Sequence, residues 1–440
     1  MTRGMKNSGI EWVGEIPADW KVEKTSKICN TITDYVASGS FASLAENVKY
    51  LDEPDYAMLV RTADVSKKGY TSKPVYVDEH AYNFLKNSNL FGGELLLPNI
   101  GGVGEVYIVP KLYDKMTLAP NAIIIRTDYC DKYYYYYFYS DAGFMSIKEI
   151  SQSTAQPKFN KTDFKQIKVL LPPLTEQKKI ADFLDNKVSE IDKMIAETKS
   201  SIENYKEYKQ SVITEAVTKG LNKNVQMKDS GVEWIGEVPT CWSLYKLKHL
   251  ASIVRGGSPR PAGDPQYYMG NIPFMKISDI TKDENIYVDE CVDSIKEAGL
   301  SHTRMVKSGT LLLTNSGATL GVPKITTFDT TFNDGIAAFL ELKETIDIVF
   351  AYYSLKARTK FFLEQASMGM GQPNLNTEII GNTVVAIPSL EHQKEIVEYL
   401  DKVCSEIENL ISEKEALIVN LEEYKKSLIY EYVTGKKAVL

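Results

Sequence analysis

Cysteine is scarce in this sequence and never paired: Cys29, Cys130, Cys241, Cys291 and Cys404 stand singly among 440 residues, with no CxxC spacing. An odd, dispersed set excludes a disulfide framework and a cysteine zinc site, and fits reduced thiols. Histidine is scarcer still. His80, His249, His302 and His392 lie far apart, without the helical spacing of a metal pair. No run approaches the roughly 18 apolar residues that span a bilayer, and residues 1–8 lack the apolar core of a signal peptide. The expectation is a soluble, cytoplasmic chain with no metal and no membrane contact. Basic charge is short as well, since 51 Lys and Arg face 58 Asp and Glu for a net −7. The first 220 residues hold 28 basic and 29 acidic groups and the rest 23 and 29 (51 and 58 in all). A chain that holds nucleic acid by bulk electrostatics is basic. If this one binds nucleic acid, its basic groups are local or a partner shares the work.

Catalytic signatures are also missing. There is no Asn/Asp-Pro-Pro-Tyr/Phe motif of an amino-methyltransferase; Leu171-Pro172-Pro173-Leu174 lacks both the polar and the aromatic end. There is no Gly-x-x-x-x-Gly-Lys-Ser/Thr loop for a nucleotide. The acidic–basic pairs Asp64/Lys67 and Asp279/Lys282 read as solvated surface, as such pairs ordinarily are.

What the chain does have is a repetition, the first thing to seek in a long sequence. Ser8-Gly9-Ile10-Glu11-Trp12-Val13-Gly14-Glu15-Ile16-Pro17 returns 222 residues later as Ser230-Gly231-Val232-Glu233-Trp234-Ile235-Gly236-Glu237-Val238-Pro239. Gln156-Pro157-Lys158-Phe159-Asn160 answers to Gln372-Pro373-Asn374-Leu375-Asn376, now 216 apart. Residues 174–218 match 390–434 without a gap, 21 identities in 45 positions. The middle, roughly 20–150 against 242–365, matches only at points such as Asp64/Asp279 and Asn99/Asn315. A frame kept twice around two different centres suggests one scaffold presenting two surfaces.

Each closely matched tail reads as a long helix. Residues 177–217 contain neither Gly nor Pro, and Gly220 and Gly435 stand where the two copies stop. Leu184, Ile191, Ile195, Ile202 and Tyr205 follow an a/d spacing, as do Leu400, Ile407, Ile411, Ile418 and Leu421. At 1.5 Å per residue each helix runs about 60 Å. The alternative, an amphipathic helix packed on its own domain, uses the same stripe. A pseudo-twofold between the halves makes the pair an antiparallel coiled coil.

The centres read as α/β (α+β): apolar runs such as 56–60, 94–97 and 122–125 are bounded by Gly, Pro, Asn and Asp, as buried strands are. The tyrosines of 133–139 could stack on bases, although a half-buried core helix is the commoner use of such a row. Gly101-Gly102-Val103-Gly104 and Gly317-Ala318-Thr319-Leu320-Gly321 are no phosphate cradle. They form either a tight turn between strands or a place where backbone approaches a ligand.

The Gly-Ile-Glu-Trp-Val-Gly-Glu-Ile-Pro segment, the Gln-Pro-x-x-Asn motif, and Pro-x-Leu-x-x-Gln-x-x-Ile leading into a long helix, all present twice, resemble one family. The chain is similar over its whole length to the specificity (S) subunits of type I restriction–modification enzymes. The resemblance implies two target-recognition domains, 1–172 (with the segment 5–20) and 221–388, and two helical regions, 173–220 and 389–440. It implies that each domain reads one half of a bipartite DNA target while the helices set the gap. It also implies a subunit without catalysis or cofactor of its own. Two modification (M) subunits would bind S-adenosylmethionine and methylate adenine, and restriction (R) subunits, where present, would use ATP and Mg.

Arg and Lys can donate to guanine or phosphate, and Asn and Gln can read adenine. On that basis the candidate DNA contacts are Arg61, Thr62, Lys67, Asn99, Gln156 and Lys158 in the first domain. In the second they are Lys276, Ser278, Asn315, Ser316, Gln372 and Asn374. Recurrence of Gln-Pro and Asn in both copies favours a structural role for them, since residues that read different bases should differ. The rival readings are a coiled-coil scaffold or adaptor, which has no need of two divergent centres, and a specificity subunit in a methylation-only system.

Overall fold

The computed structural model describes residues 3–66, 73–151, 156–317, 319–367 and 374–439. The chain divides into two compact units, one formed by 1–198 with 416–440 and the other by 199–415.

In the first unit, Cys29–Asp34, Ala122–Thr127, Leu95–Pro98 and Tyr107–Ile108 form a four-stranded antiparallel sheet in that order. A second sheet orders Tyr76–Val77, Ala57–Val60, Met116–Leu118 and Asn89–Leu90, and its central pair, Ala57–Val60 with Met116–Leu118, is parallel. Both faces of Leu95-Leu96-Leu97 are covered, which is why the run is continuously apolar and does not alternate. The tyrosine row is core: Asp131–Tyr139 is a helix in which Tyr133, Tyr134 and Tyr137 are fully buried. Tyr133 donates its hydroxyl to the Val433 carbonyl (2.9 Å) and Tyr136 to Asp185 (2.8 Å).

The second unit repeats this plan on a different sequence. Ser252–Arg255, Ile336–Leu340, Leu311–Thr314, Pro323–Thr326 and Tyr287–Val288 make a five-stranded sheet. Ser294–Ile295, Tyr268–Met275, Thr330–Phe332 and Arg304–Val306 make a four-stranded one, again with a parallel pair inside, Tyr268–Met275 with Thr330–Phe332.

Two long helices, Leu174–Lys219 and Leu390–Val433, follow the strand pairs Lys21–Lys24/Lys168–Leu171 and Ser243–Lys246/Val384–Ile387. A buried glutamine ties each helix start to its unit. Gln177 accepts from the Cys130 backbone and donates to the Pro172 carbonyl; Gln393 accepts from Asp347 and donates to Pro388 and Thr345. An unpaired amide here would cost on the order of 1–3 kcal/mol, so the Pro-x-Leu-x-x-Gln recurrence has a structural cause.

Each unit contains a stretch of both helices, and in each the stretches run antiparallel. In the first, Phe183 packs on Tyr432 (ring centroids 4.5 Å apart) and Asp192 pairs with Lys425 at 2.7 Å. In the second, Lys414 lies over Tyr205 and Lys209 pairs with Glu408 at 2.6 Å. The two ion pairs are one pair written twice, since 425 − 209 and 408 − 192 both equal 216. Leu184, Ile191 and Ile195 are buried in the first unit's core, with Ile418 and Leu421 packed against it. Ile202, Leu400 and Ile407 are buried, and Tyr205 and Ile411 half-buried, in the second. The apolar stripe thus meets the other helix and the unit's own sheets together.

The end of the second helix closes on the start of the chain. Tyr430 donates to the Trp12 carbonyl, Lys436 donates to the Glu15 carbonyl, and Gly435 (φ 71°) sits against Pro17 and the buried Trp20. Gly220 (φ 74°) meets Trp242 in the same way in the other unit. Positive φ and an indole at the would-be Cβ explain why glycine ends both helices.

Candidate nucleic-acid interface

In the first unit the strand Ala57–Val60 ends at Arg61, and Ala119 donates to the Val60 carbonyl at 2.8 Å. The turn 119–121 then leads into the neighbouring sheet, with Asn121 at φ 72°. Asn99 donates to the Asn121 carbonyl and accepts at its own carbonyl from Phe159, and Ile100 bridges Lys158. One continuous set of backbone bonds therefore brings Arg61, Asn99 and Lys158 to the same end of the two sheets, although they span almost a hundred positions.

The second unit repeats the edge. Asn333 donates to the Met275 carbonyl beside Lys276, Asn315 donates to the Gly335 carbonyl, and Leu375 donates to the Asn315 carbonyl. Ser316 bridges Asn374. Lys276, Ser316 and Asn374 are gathered around the 333–335 turn as their counterparts are around 119–121.

The candidate residues play different parts on this edge. Thr62 is half-buried, while Gln156, Lys158, Ser278 and Asn374 are exposed. Arg61 is engaged: its guanidinium meets Asp64 at 2.7 and 3.0 Å and donates to the Lys73 carbonyl, and the Asp64 hydrogen bond holds it firmly in the charged form. Lys276 pairs with Asp293 at 2.8 Å. Lys67 and Gln372 lie outside the described residues.

Two expectations are corrected. Asn315 is fully buried, with no partner for its side-chain amide among the described residues, and Asn99 spends its amide on the Phe159 carbonyl at 3.2 Å. Both are joined to the edge through their backbone bonds to the 119–121 and 333–335 turns. Asp64 and Asp279 are not solvated surface. Each carboxylate accepts the backbone N–H of the residue three before it, Arg61 or Lys276, capping a short helix, and Asp279 is 5% exposed. The Asn of Gln-Pro-x-x-Asn is likewise a cap: Asn160 accepts from Asp163 and Asn376 from Ile379, so its recurrence is local helix chemistry.

The structure also adds residues. Beside the 333–335 turn a cleft of about 420 Å³ is lined by Ser258, Arg260, Met269, Lys276, Val292 and Asn333. Met269 and Val292 are more than four-fifths exposed, and Arg260 has Asp334 only at 3.7 Å. Arg255 and Ser258 also bond to Asp334. The signal was present in Arg255-Gly256-Gly257-Ser258-Pro259-Arg260-Pro261, two arginines within seven residues of an otherwise acidic half. Arginine beside apolar tips suits base edges and thymine methyl groups. Among the described residues no cluster of His, Cys, Asp or Glu could hold a metal ion. No described helix is long and apolar enough to cross a membrane.

The family model for the type I restriction modification DNA specificity domain matches this chain twice, at residues 17–204 and 239–417. Among curated proteins, the MjaVIII specificity subunit of a type I restriction enzyme from Methanocaldococcus jannaschii is 26% identical, over 96% of this chain and 93% of its own. The EcoBI specificity subunit from Escherichia coli is 24% identical over 70% and 66%. Among solved structures, a chain from work on complex assembly and conformational transition of the type I R-M system aligns with a TM-score of 0.73 at 15% identity, covering 96% of this chain and 99% of that one. The HsdS subunit from Thermoanaerobacter tengcongensis aligns at 0.53 and 14%, over 96% and 98%. At such identities these two matches speak for the fold.

Proposed function

We propose that this chain, which belongs to the type I restriction modification DNA specificity domain family, reads a bipartite DNA target with one half assigned to each unit. It is the specificity subunit, a part without catalysis or cofactor of its own. The observation that carries the two-half reading is the edge built twice. The backbone frame around 119–121 and 333–335 is the same, while the side chains mounted on it differ: Arg61, Thr62 and Lys158 in one, Lys276, Ser278 and Asn374 with Arg260 in the other. A common frame with unlike readers suits two unlike half-sites. The recognition domains are 1–172 and 221–388; the helical regions 173–220 and 389–440 set the gap and dock the partners. Those partners are two methyltransferase (M) subunits that bring S-adenosylmethionine, and, in a restricting complex, R subunits that bring ATP and Mg. The complex works on cytoplasmic DNA.

A map of methylated adenine in host cells with and without this gene tests the reading. One split motif of fixed gap should vanish on deletion; an unchanged map beside an expressed, active M subunit sinks it. The acidic balance adds a second expectation. With 58 acidic against 51 basic residues, the M subunits supply most of the phosphate-neutralising surface. The isolated chain should therefore bind its target weakly and with steep salt dependence. Nanomolar specific binding without M, measured by fluorescence anisotropy, would contradict this.

A further inference from the structure

Beside the 333–335 turn, one strand of the second unit carries an irregularity that its counterpart in the first unit lacks. Tyr268–Met275 pairs with Ser294–Ile295 out of step. Tyr268 and Ile272 both stand opposite Ile295, so Met269, Gly270 and Asn271 are extruded as a β-bulge. A bulge re-aims the side chain it carries. Gly270 lets the chain pass, since a Cβ there would lie 2.2 Å from the Ile295 carbonyl oxygen. Met269 sits at φ 60°, a left-handed conformation that glycine and asparagine take readily and that strains a methionine. Burial does not recover that strain, because Met269 is 83% exposed. In the first unit the counterpart strand, Ala57–Val60, pairs with Tyr76–Val77 without any shift of register.

The bulge stands on the cleft that holds Arg260 and Lys276, and Val292, 92% exposed, lines the same cleft. Single exposed apolar side chains are ordinary. Two on one cleft, one of them held out by strained backbone, mark a surface shaped for something outside the chain. The polar groups of the cleft narrow the choice. Lys276 is matched by Asp293 at 2.8 Å. The Arg260 side chain is 72% exposed, and its neighbour Asp334, at 3.7 Å, already accepts from the Ser258 hydroxyl at 2.7 Å. An outward guanidinium draws the cleft towards a polyanion. Phosphate oxygens give a methionine or valine tip nothing to pack on. Of the groups displayed in the major groove, the one that is apolar is the C5 methyl of thymine.

We infer that Met269 is a specificity-determining residue of the second unit, carried on the bulge so that its side chain, together with Val292, packs on a thymine methyl in the half-site which that unit reads. The inference rests on the DNA-reading function proposed above and adds a base to it. Methionine suits the task, being unbranched and polarizable and so able to follow the edge of a base.

The test uses the full chain assembled with the M subunits of its own system, and duplexes carrying the split motif found by the methylation map. Each thymine of the second half-site is replaced in turn by deoxyuridine, which removes the C5 methyl and nothing else, and binding is followed by fluorescence anisotropy. In the unmodified complex one of these replacements should weaken binding about fourfold, the worth of one buried methyl group. Met269→Gly should weaken binding of the thymine duplex by about fourfold or more, and the same deoxyuridine should then cost nothing further. Deoxyuridine in the other half-site should act alike on both complexes. The melting temperature should not fall in the variant, since glycine takes φ 60° without strain and the lost side chain is exposed. Met269→Asn, which also tolerates that conformation, serves should glycine loosen the bulge. A deoxyuridine penalty that survives both variants, or the absence of a penalty at every thymine in the unmodified complex, overturns the inference and leaves the function standing. An unmodified complex that binds the split motif no better than a scrambled duplex overturns the function itself.

Discussion

Exchanging residues 26–166 for the matching segment of a relative with another target should replace one half of the methylated motif and leave the other half and the gap unchanged. The cut points come from the structure. Lys21–Lys24 pairs with Lys168–Leu171, and Thr25 donates to the Ile167 carbonyl, so cuts just inside this pair keep the clasp in front of the first long helix. Everything mounted on the 119–121 turn travels with the insert, including Arg61, Asn99 and Lys158. Gln177, Asp192 and Lys425, which tie the helices into the unit, stay behind. Single-molecule sequencing of methylated adenine reads the outcome. A half-site mismatch typically costs ~1–3 kcal/mol per base pair, so a changed half should abolish the old motif completely. A change in both halves, or in the gap alone, would contradict the division.

The second large effect concerns a charge inside one sheet. Lys324 lies on the strand Pro323–Thr326, is 2% exposed, and places its ammonium on Asp283 at 2.6 Å and on the Asn285 carbonyl. Asp283→Ala should strand that ammonium and destabilise the second unit by about 3 kcal/mol. That is a fall in melting temperature of roughly 6–12 °C for a body of this size, measured by calorimetry on the unmodified chain and the variant. Lys324→Met, which removes the charge and keeps the volume, should be near neutral. The pH dependence has a definite sign. Burial works against ionised Asp283, but hydrogen bonds from Lys324 and from the Asn285 backbone outweigh it and hold the carboxyl below its usual range. A depressed carboxyl contributes stability above its unfolded pKa, near 3.8, and loses it as pH falls through the folded value. The unmodified unit should therefore weaken below about pH 4, and Lys324→Met much less so.

Much of the architecture was legible because it is periodic or duplicated. The helices Leu174–Lys219 and Leu390–Val433 follow a heptad stripe interrupted at Thr198 and Lys414, and the burial of Tyr133, Tyr134 and Tyr137 follows from aromatic density beside apolar strands. The edge was only partly legible. Arg61 and Lys276 stand out through their shared context, but the 119–121 and 333–335 turns carry no motif. They matter because Met116–Leu118 and Thr330–Phe332 each pair in parallel with a strand more than fifty residues earlier. Nor does composition separate a solvated Asp from one that caps a helix: Asp64 and Asp279 look alike on paper to any surface carboxylate. Asn99 is ambiguous for the same reason: an amide able to read adenine is equally able to hold a neighbouring loop, as it does at the Phe159 carbonyl. Asn315 joins the frame through its backbone alone.

The repeat in the sequence and the bodies in the structure are out of phase. The sequence restarts near 220, yet the first unit takes residues 416–440 and the second takes 199–219. Each repeat thus lends its last stretch of helix to the other body, the arrangement of a domain-swapped dimer fused head to tail into one gene. A chain ending near 220 would lack the strand of helix that completes its own core, where Leu428, Ile429 and Val433 are buried. Two such half-chains could supply it to each other. Expressed alone, the first repeat should therefore be found as a homodimer, and a symmetric one, carrying the first reading edge twice.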